Sequence, residues 1–214
     1  MTPFVIAVDG PAASGKGTIA GRLGAHYGLP VLDTGLLYRA VGVLSADPDD
    51  ARASAAAAKA LAAAMLEDPV LRTRAAGELA SRAGVHPEVR AALLAFQQDF
   101  AGQPGGAVLD GRDIGTVICP DAPAKLFVTA TPEVRAGRRW RQLTGQGEVV
   151  SLDDVLTDIR RRDARDGGRA AAPLTQAADA VLLDTSEMDI DRAFDAARRI
   201  VEAARGRWET SQPG

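Results

Sequence analysis

The sequence predicts an α/β protein with a five-stranded parallel sheet flanked by helices. Five short apolar runs alternate with segments of helical spacing, and this alternation is typical of a parallel sheet. The first run passes through a loop of small residues directly into a helical segment, residues 19–26. The chain of 214 residues is 46% hydrophobic and 25% charged, which is enough for one sizeable core.

Composition narrows the class of partner and the compartment. The net charge is −3, whereas a general nucleic-acid binder is usually basic, so we expect no nucleic-acid partner. The one cysteine, Cys119, excludes an internal disulfide and favours a reducing, cytoplasmic setting. No secretory signal pattern and no apolar run of about 18 residues occurs, so we expect no membrane segment. We also expect a monomer.

The predicted elements follow one another in a regular order. Strands are expected at residues 5–8, 31–32, 107–110, 125–130 and 180–184. Helices are expected at residues 19–26, 36–44, 51–66, 71–82 and 88–100, then from Pro132, after Ser151 and from about Asp189. Thr131 before Pro132, and Ser151 three residues before Asp154, are signals of a helix N-terminus.

We predict a single domain over residues 1–214 that is divided into a core, an insertion, a lid and a tail. The core comprises residues 1–46, 85–145 and 170–205, and the insertion comprises residues 47–84. The lid is about residues 146–169, and the tail is residues 206–214. The insertion is Ala-rich and helix-prone, and the lid is rich in arginine and bounded by glycines that allow it to close and open. The polar tail is expected to fray.

Residues 10–16 read G-x-x-x-x-G-K, the pattern of a phosphate-binding loop. Backbone N–H groups in such a loop point inward, the helix N-terminus adds partial positive charge and Lys16 adds a full charge. A turn that merely joins strand to helix is the alternative interpretation, although strand, loop, lysine and helix occur together here as the motif requires. The predicted ATP-binding residues are Gly10, Pro11, Ala12, Ala13, Ser14, Gly15, Lys16, Gly17 and Thr18.

Polar side chains follow the second and third predicted strands. Asp33 follows one apolar run, and Asp110 ends another, with Arg112 and Asp113 directly behind it. Ligands bind at the carboxyl ends of parallel strands, and carboxylates hold Mg²⁺ in phosphate-loop enzymes, often through water. We therefore predict Mg²⁺ near Asp110, with Asp33 as a possible second ligand. A plain Asp-Gly turn is the alternative.

The densest charge cluster is residues 160–169, where Arg162, Arg165 and Arg169 would share one face if the segment is helical. A solvated surface with Asp158, Asp163 and Asp166 as partners is one interpretation. The other is that these arginines neutralise a transferred phosphoryl group, because guanidinium forks suit phosphate oxygens.

No general base is legible in the sequence. Transfer to a hydroxyl usually calls for a carboxylate that removes a proton, whereas a phosphate monoester is already largely dianionic at neutral pH, with a second pKa of about 6. An enzyme that joins two phosphates has only to align them and neutralise charge. One lysine, one magnesium ion and many arginines fit that task.

Four motifs occur in one order along nearly the whole chain, and together they resemble bacterial cytidylate kinases, members of the nucleoside monophosphate kinase family. They are Gly10-Pro11 through Lys16-Gly17-Thr18, Leu32-Asp33-Thr34-Gly35-x-x-Tyr38-Arg39, Asp110-Gly111-Arg112-Asp113-Ile114-Gly115-Thr116 and Arg162-x-x-Arg165-Asp166-x-x-Arg169. The resemblance implies a phosphate-loop fold and Mg²⁺-dependent transfer of the ATP γ-phosphate to CMP or dCMP. It also makes the insertion the acceptor-binding part.

The resemblance also implies roles for individual residues. The expected catalytic residues are Lys16, Arg112, Arg162, Arg165 and Arg169. The expected CMP-binding residues are Thr34, Arg39, Ser81, Arg90, Arg112, Asp113, Asp166 and Arg169. Among the latter, Ser81, Arg90 and Asp113 would read the cytosine, and Asp166 would bind the ribose.

Two other functions compete with this one. Another phosphate-loop phosphotransferase, acting on AMP, UMP or a small hydroxyl metabolite, would share the loop and the arginines. A nucleotide-switched module that binds a protein is a rival of a different class. It needs a hydroxyl residue directly after the loop lysine, where this chain has Gly17.

Overall fold

The computed structural model describes residues 3–211. Its strands are β1 (Phe4–Asp9), β2 (Val31–Asp33), β3 (Gly106–Gly111), β4 (Ala124–Thr129) and β5 (Val181–Asp184). They form one parallel sheet in the order β2-β3-β1-β4-β5, which confirms the predicted fold class. β1 is the central strand, and all six of its residues are buried.

Eight α-helices connect and flank these strands within residues 3–211. They are α1 (Lys16–Tyr27), α2 (Thr34–Leu44), α3 (Ala51–Lys59), α4 (Arg74–Ala83), α5 (Pro87–Ala101), α6 (Pro132–Gly145), α7 (Leu152–Gly167) and α8 (Ile190–Ser211). The predicted caps form, since the side chains of Thr131 and Ser151 accept hydrogen bonds from Val134 N and Asp154 N. Within the described residues, no helix has the length and apolar character needed to cross a bilayer.

Alternate residues of β1 face two separate hydrophobic clusters. Ile6 and Val8 pack with residues of α1 and α8, whereas Val5 and Ala7 pack with residues of α2 and α5. This period of two is what a strand buried on both faces requires. The sheet is therefore covered by helices on both faces. The edge formed by the carboxyl ends of the strands is where the candidate site lies.

The predicted helix over residues 51–66 is wrong in its second half. α3 ends at Lys59, and two short 3₁₀ turns follow, Ala63–Glu67 and Pro69–Arg72. The change of direction brings Leu61 and Leu66 against the cluster that packs on α2 and α5. Alanine-rich composition favours helix locally, but this weak preference yields to the burial of two leucines. α4 begins at Arg74 rather than at residue 71, because Thr73 caps it.

The expected frayed tail is also wrong over residues 206–211. α8 continues through Ser211, and the ring of Trp208 lies 5.1 Å from that of Phe4 in β1. The tail is polar apart from this tryptophan, so composition hides the one contact that anchors it. Residues 212–214 lie outside the described residues.

Candidate active site

The phosphate loop leaves β1 and enters α1 through two glycines in the left-handed region. Gly10 has φ +153°, and a Cβ there would lie 2.0 Å from the carbonyl oxygen of Val128. Gly15 has φ +93° and precedes Lys16, the first residue of α1. The loop can approach β4 and turn into the helix only because both positions lack a side chain.

The outer side of the loop is held by groups that sequence analysis missed. Arg135 donates from Nη1 to the carbonyl of Ala12, at 3.2 Å. Arg138 donates to the carbonyl of Ser14, at 3.2 Å, and Thr185 Oγ1 donates to the same oxygen at 3.0 Å. With these carbonyls bound from outside, the loop is fixed before any nucleotide arrives. Both arginines lie on α6, which is beside the phosphate loop in the folded chain. Because the sequence does not show that proximity, it does not mark them as residues that contact the loop.

Lys16 and Asp110 form an ion pair, with 3.2 Å between Nζ and Oδ1. Burial lowers the pKa of Lys16 and raises the pKa of Asp110, and each partner opposes the effect of burial on the other. Apart from this ion pair with Lys16, Asp110 Oδ1 has no hydrogen-bond partner in the described residues. A Cβ on Gly17 would come within 3.0 Å of Asp110 Oδ2, so the glycine after Lys16 leaves room for this carboxylate.

A cavity of about 960 Å³ opens beside the phosphate loop. It is lined by the loop and by residues of five helices, and the cationic and anionic groups in its wall include Lys16, Asp33, Arg39, Asp110, Arg112, Arg138, Arg139, Arg161 and Arg162. The register of the sheet places Asp33 directly opposite Asp110 on the neighbouring strand. The two carboxylates predicted to hold Mg²⁺ therefore lie side by side at one edge of the sheet.

A second, smaller cavity of about 40 Å³ adjoins the first. Eleven of its lining residues belong to the predicted motifs or acceptor set: Thr34, Gly35, Tyr38, Ser81, Arg90, Gly111, Arg112, Asp113, Arg162, Asp166 and Arg169. Ser81 is 1% exposed, and its hydroxyl has no hydrogen-bond partner among the described residues. A buried hydroxyl without a partner is rare, and it is understandable where a ligand completes the bond.

Three of the predicted acceptor residues bond to each other. Asp166 is 1% exposed and pairs with Arg112, at 3.0 Å, and with Arg169. Burial opposes its charge, but the two guanidinium groups outweigh burial and lower the pKa of Asp166. The carboxylate therefore holds both arginines at the wall of the smaller cavity.

A second ion pair lies on the other side of this cavity. Arg90 pairs with Asp113 through Oδ2, and its guanidinium lies 5.3 Å from the centre of the Tyr38 ring. Thr34 donates its hydroxyl proton to the carbonyl of Asp110, at 2.8 Å. Its oxygen is thus oriented by the main chain and is left to act as an acceptor toward a ligand.

Arg162 lines both cavities and makes no hydrogen bond or ion pair in the described residues. Burial and, to a lesser extent, the charge of Arg112 lower the pKa of Arg162 to about 9. A partly buried cation without a partner is costly, and an anion between the two cavities would relieve that cost. Of the predicted arginines, Arg162 is the best placed to meet such an anion.

Two predicted residues are engaged elsewhere. Arg165 lines neither cavity, because its guanidinium binds the carboxylate of Glu78 on α4. Arg39 lines the larger cavity but donates to the carbonyl of Leu71, at 2.7 Å. The expectation that Arg162, Arg165 and Arg169 share one helix face is wrong, since α7 ends at Gly167, before the last of them.

Asp9 is a site residue that the sequence did not reveal. Its carboxylate accepts hydrogen bonds from Ile114 N and Gly115 N, both at 2.8 Å, and so ties the end of β1 to the turn behind Asp113. Burial is the main cause that raises its pKa to about 6, against these two hydrogen bonds. In the sequence, Asp9 reads only as the end of an apolar run.

The parallel sheet, the phosphate loop at its upper edge and the two arginine-lined cavities define a phosphate-loop nucleotide-binding protein of the α/β class. The family model for cytidylate kinase matches residues 6–203. The chain belongs to the cytidylate kinase family, which is a family of phosphotransferases.

Curated relatives agree with the family model. A cytidylate kinase of Caulobacter sp. (strain K31) is 68% identical over 209 residues, which cover 96% of this chain and 97% of the relative. A cytidylate kinase of Caulobacter vibrioides is 69% identical over 208 residues, and one of Xanthobacter autotrophicus is 64% identical over 205 residues. They cover 95% and 94% of this chain, and 98% and 99% of the relatives.

Among solved structures, an uncharacterized protein from Eubacterium ventriosum has the same fold, with a TM-score of 0.56. It is 14% identical to this chain, and the match covers 94% of this chain and 99% of that one. At this identity the likeness concerns the fold alone.

Proposed function

We propose that this chain transfers the γ-phosphate of ATP to CMP and dCMP. The observation that carries the proposal is the position of Arg162, a cation in the wall of two adjoining cavities that has no hydrogen-bond partner among residues 3–211. The phosphate loop lines one cavity, and the predicted acceptor residues line the other. A phosphoryl group that passes from one nucleotide to the other has to cross the space beside Arg162.

The smaller cavity has the chemistry that cytosine requires. Asp113 uses Oδ2 for Arg90, and its Oδ1 remains for the amino group of the base. Uracil presents a carbonyl oxygen in that place, which a carboxylate repels. Arg90 and Ser81 supply donors for the ring nitrogen and carbonyl of cytosine. This set favours CMP over UMP.

The reaction needs positioning and charge neutralisation more than proton transfer. A phosphate oxygen of CMP attacks the γ-phosphorus, and the bond between that phosphorus and the oxygen bridging it to the β-phosphorus breaks, which leaves ADP and CDP. In our proposal Lys16 stays with the ATP phosphates, and Arg112 and Arg169 hold the acceptor phosphate. Arg162 neutralises the group in transfer. Asp166 keeps Arg112 and Arg169 in place.

The residues at the sheet edge fit Mg²⁺. Within residues 3–211 the buried Oδ1 of Asp110 has no partner other than Lys16, and Asp33 and Thr18 add oxygen atoms to the wall of the same cavity. Mg²⁺ prefers oxygen ligands and keeps several waters, so one or two carboxylates suffice. Bound there, the ion would neutralise charge on the ATP phosphates, with Asp110 as its main protein ligand and Asp33 as a second.

Initial rates with ATP, Mg²⁺ and, in parallel, CMP, dCMP, UMP and AMP test the proposal. We expect CMP and dCMP to be converted with kcat/KM at least about tenfold above that for UMP, because a mismatched base contact costs roughly 1–3 kcal/mol. AMP should be the poorest acceptor. Equal turnover of all four monophosphates, or no turnover of CMP, would overturn the proposed function.

A further inference from the structure

The side chain of Arg135 joins three parts of the chain that are far apart in sequence. It lies in the first turn of α6 and is 3% exposed. Its Nε donates to the carbonyl of Ala130 at 2.8 Å, and its Nη1 donates to the carbonyl of Ala12 in the phosphate loop. Nη1 and Nη2 donate to the two carboxylate oxygens of Asp163 on α7, at 2.9 and 2.6 Å.

We propose that Arg135 is a positioning residue that ties the phosphate loop to the lid helix α7 and thereby places Arg162 for phosphoryl transfer. A guanidinium that is bidentate to a carboxylate fixes distance and orientation together. Because the same nitrogen, Nη1, also holds Ala12, a movement of α7 is felt directly in the loop. The inference rests on the proposed function for the identity of the group that Arg162 meets.

The neighbouring position of Asp163 and Arg162 on α7 makes this control specific. Consecutive side chains leave an α-helix about 100° apart. Asp163 faces α6, and Arg162 faces the two cavities. The pair with Arg135 therefore helps to set the rotation of α7 about its own axis, and that rotation decides where the guanidinium of Arg162 lies.

Apolar packing between α6 and α7 does not fix that rotation by itself. The cluster between them is small, and its buried members are Ala12, Ala136, Leu143, Val155 and Ile159. Such contacts are not directional. Another ion pair, Arg160 with Glu133, also joins the two helices, but both of its side chains are about 60% exposed and it does not contact the loop. It offers a matched control.

The test compares Asp163→Asn with Glu133→Gln, each of which neutralises the acid of one α6–α7 pair. We expect Asp163→Asn to lower kcat about 10- to 100-fold with the KM for CMP unchanged, since a small misplacement of a phosphate-binding group costs that much. Glu133→Gln should stay within about twofold of the wild type. Arg135→Lys, which keeps the charge but loses the fork, should behave like Asp163→Asn.

A double variant separates positioning from general damage. If the two residues act as a unit, Arg135→Lys with Asp163→Asn has the kcat of the poorer single variant, whereas independent roles multiply the losses. Equal kcat in Asp163→Asn and Glu133→Gln would overturn the inference. So would a rise in the KM for CMP at unchanged kcat, which would place the effect in the acceptor cavity.

Hydrogen exchange keeps this test separate from that of the proposed function. With ATP bound, amides of residues 152–167 should exchange several-fold faster in Asp163→Asn than in Glu133→Gln. Equal exchange in both variants would overturn the tie between the phosphate loop and the lid. This conclusion holds even if the wild-type protein does not phosphorylate CMP. Faster exchange would support the tie in either case.

Discussion

Arg165 on α7 binds Glu78 on α4 through both guanidinium Nη atoms, with N–O distances of 2.6 and 2.7 Å. A second pair, Arg74 with Asp158, joins the same two helices with the charges reversed. Helix α7 therefore contacts the segment between β2 and β3 through two ion pairs of opposite direction. The charge cluster of residues 160–169 thus serves two purposes, since Arg162 faces the cavities and Arg165 faces α4.

The Arg165–Glu78 contact predicts that Glu78→Gln weakens acceptor binding more than catalysis. Both side chains are partly exposed, so the pair is worth only about 0.5–1 kcal/mol, and we expect a two- to fivefold rise in the KM for CMP. Steady-state kinetics of Glu78→Gln and Arg165→Gln measure this, and the two variants should match. A loss of kcat above about tenfold in Arg165→Gln alone would instead assign Arg165 to the transferred phosphate, as the resemblance implies.

Lys16→Met removes the charge at the entrance to α1. We expect kcat/KM to fall about 100- to 1000-fold, because a preorganised cation at a phosphate contributes that much to the transition state. Circular dichroism and thermal unfolding should show an intact fold. Lys59→Met, at an exposed position on α3, is the control. Near-normal turnover in the Lys16 variant would remove Lys16 from the role.

Asp113→Asn should narrow the preference for CMP over UMP about tenfold, because an amide can donate to the uracil carbonyl that a carboxylate repels. The ratio of kcat/KM for the two acceptors measures the change. Asp121→Asn, at an exposed position, provides the matched control. If the ratio in the Asp113 variant equals that of the wild type, the base is read elsewhere.

Burial, with a smaller contribution from Asp9, raises the pKa of the Cys119 thiol to about 11. The thiolate, not the thiol, reacts with iodoacetamide, so alkylation at pH 8 should be about 100-fold slower than for an unperturbed cysteine. Since the chain has one cysteine, mass spectrometry reads this site alone.

The raised pKa of Cys119 also makes the free energy of unfolding depend on pH. The folded chain keeps the thiol proton above the pH at which the unfolded chain loses it, so the contribution of Cys119 is complete below about pH 9 and is lost as the pH rises toward 11. Cys119→Ser should flatten this part of the profile of unfolding free energy. Fast alkylation at pH 8 would contradict the shift.

Trp208→Ala should lower the free energy of unfolding by about 2 kcal/mol, which is less than for a fully buried tryptophan because the ring is only partly covered. The ring contacts Phe4 on β1, so the loss is felt at the central strand. Urea unfolding measures it, with Arg207→Ala as an exposed neighbour for control. Equal midpoints for the two variants would show that the end of α8 contributes nothing.

Much of the fold was predictable because its signals are local. The five strands, the caps at Thr131 and Ser151 and the glycines of the phosphate loop are each read from a few consecutive residues. The predicted helix over residues 51–66 was wrong in its second half, because alanine content does not indicate which leucines are buried in the core. The prediction of a frayed tail was wrong over residues 206–211, because the contact of Trp208 with Phe4 anchors this segment.

The candidate site was predictable to the same degree. Motifs at strand ends converge because parallel strands share one edge, and so Asp33 and Asp110 lie side by side. Arg135, Arg138 and Asp9 carry no motif of their own. They hold main-chain atoms 105 to 124 residues away, and such contacts exist only once helices and strands have packed.

The sequence by itself determined the sheet, the phosphate loop and the residue types that a phosphate-handling site needs, because spacing and backbone geometry are local properties of a chain. The tertiary structure decided which arginine faces which anion. Within the described part of the chain, Arg162 has no hydrogen-bond partner and lies beside two cavities, Arg165 is bound to Glu78 and Arg135 is bound to Asp163. Each of these partners lies on a different helix from its arginine, so no run of consecutive residues encodes the pairing locally.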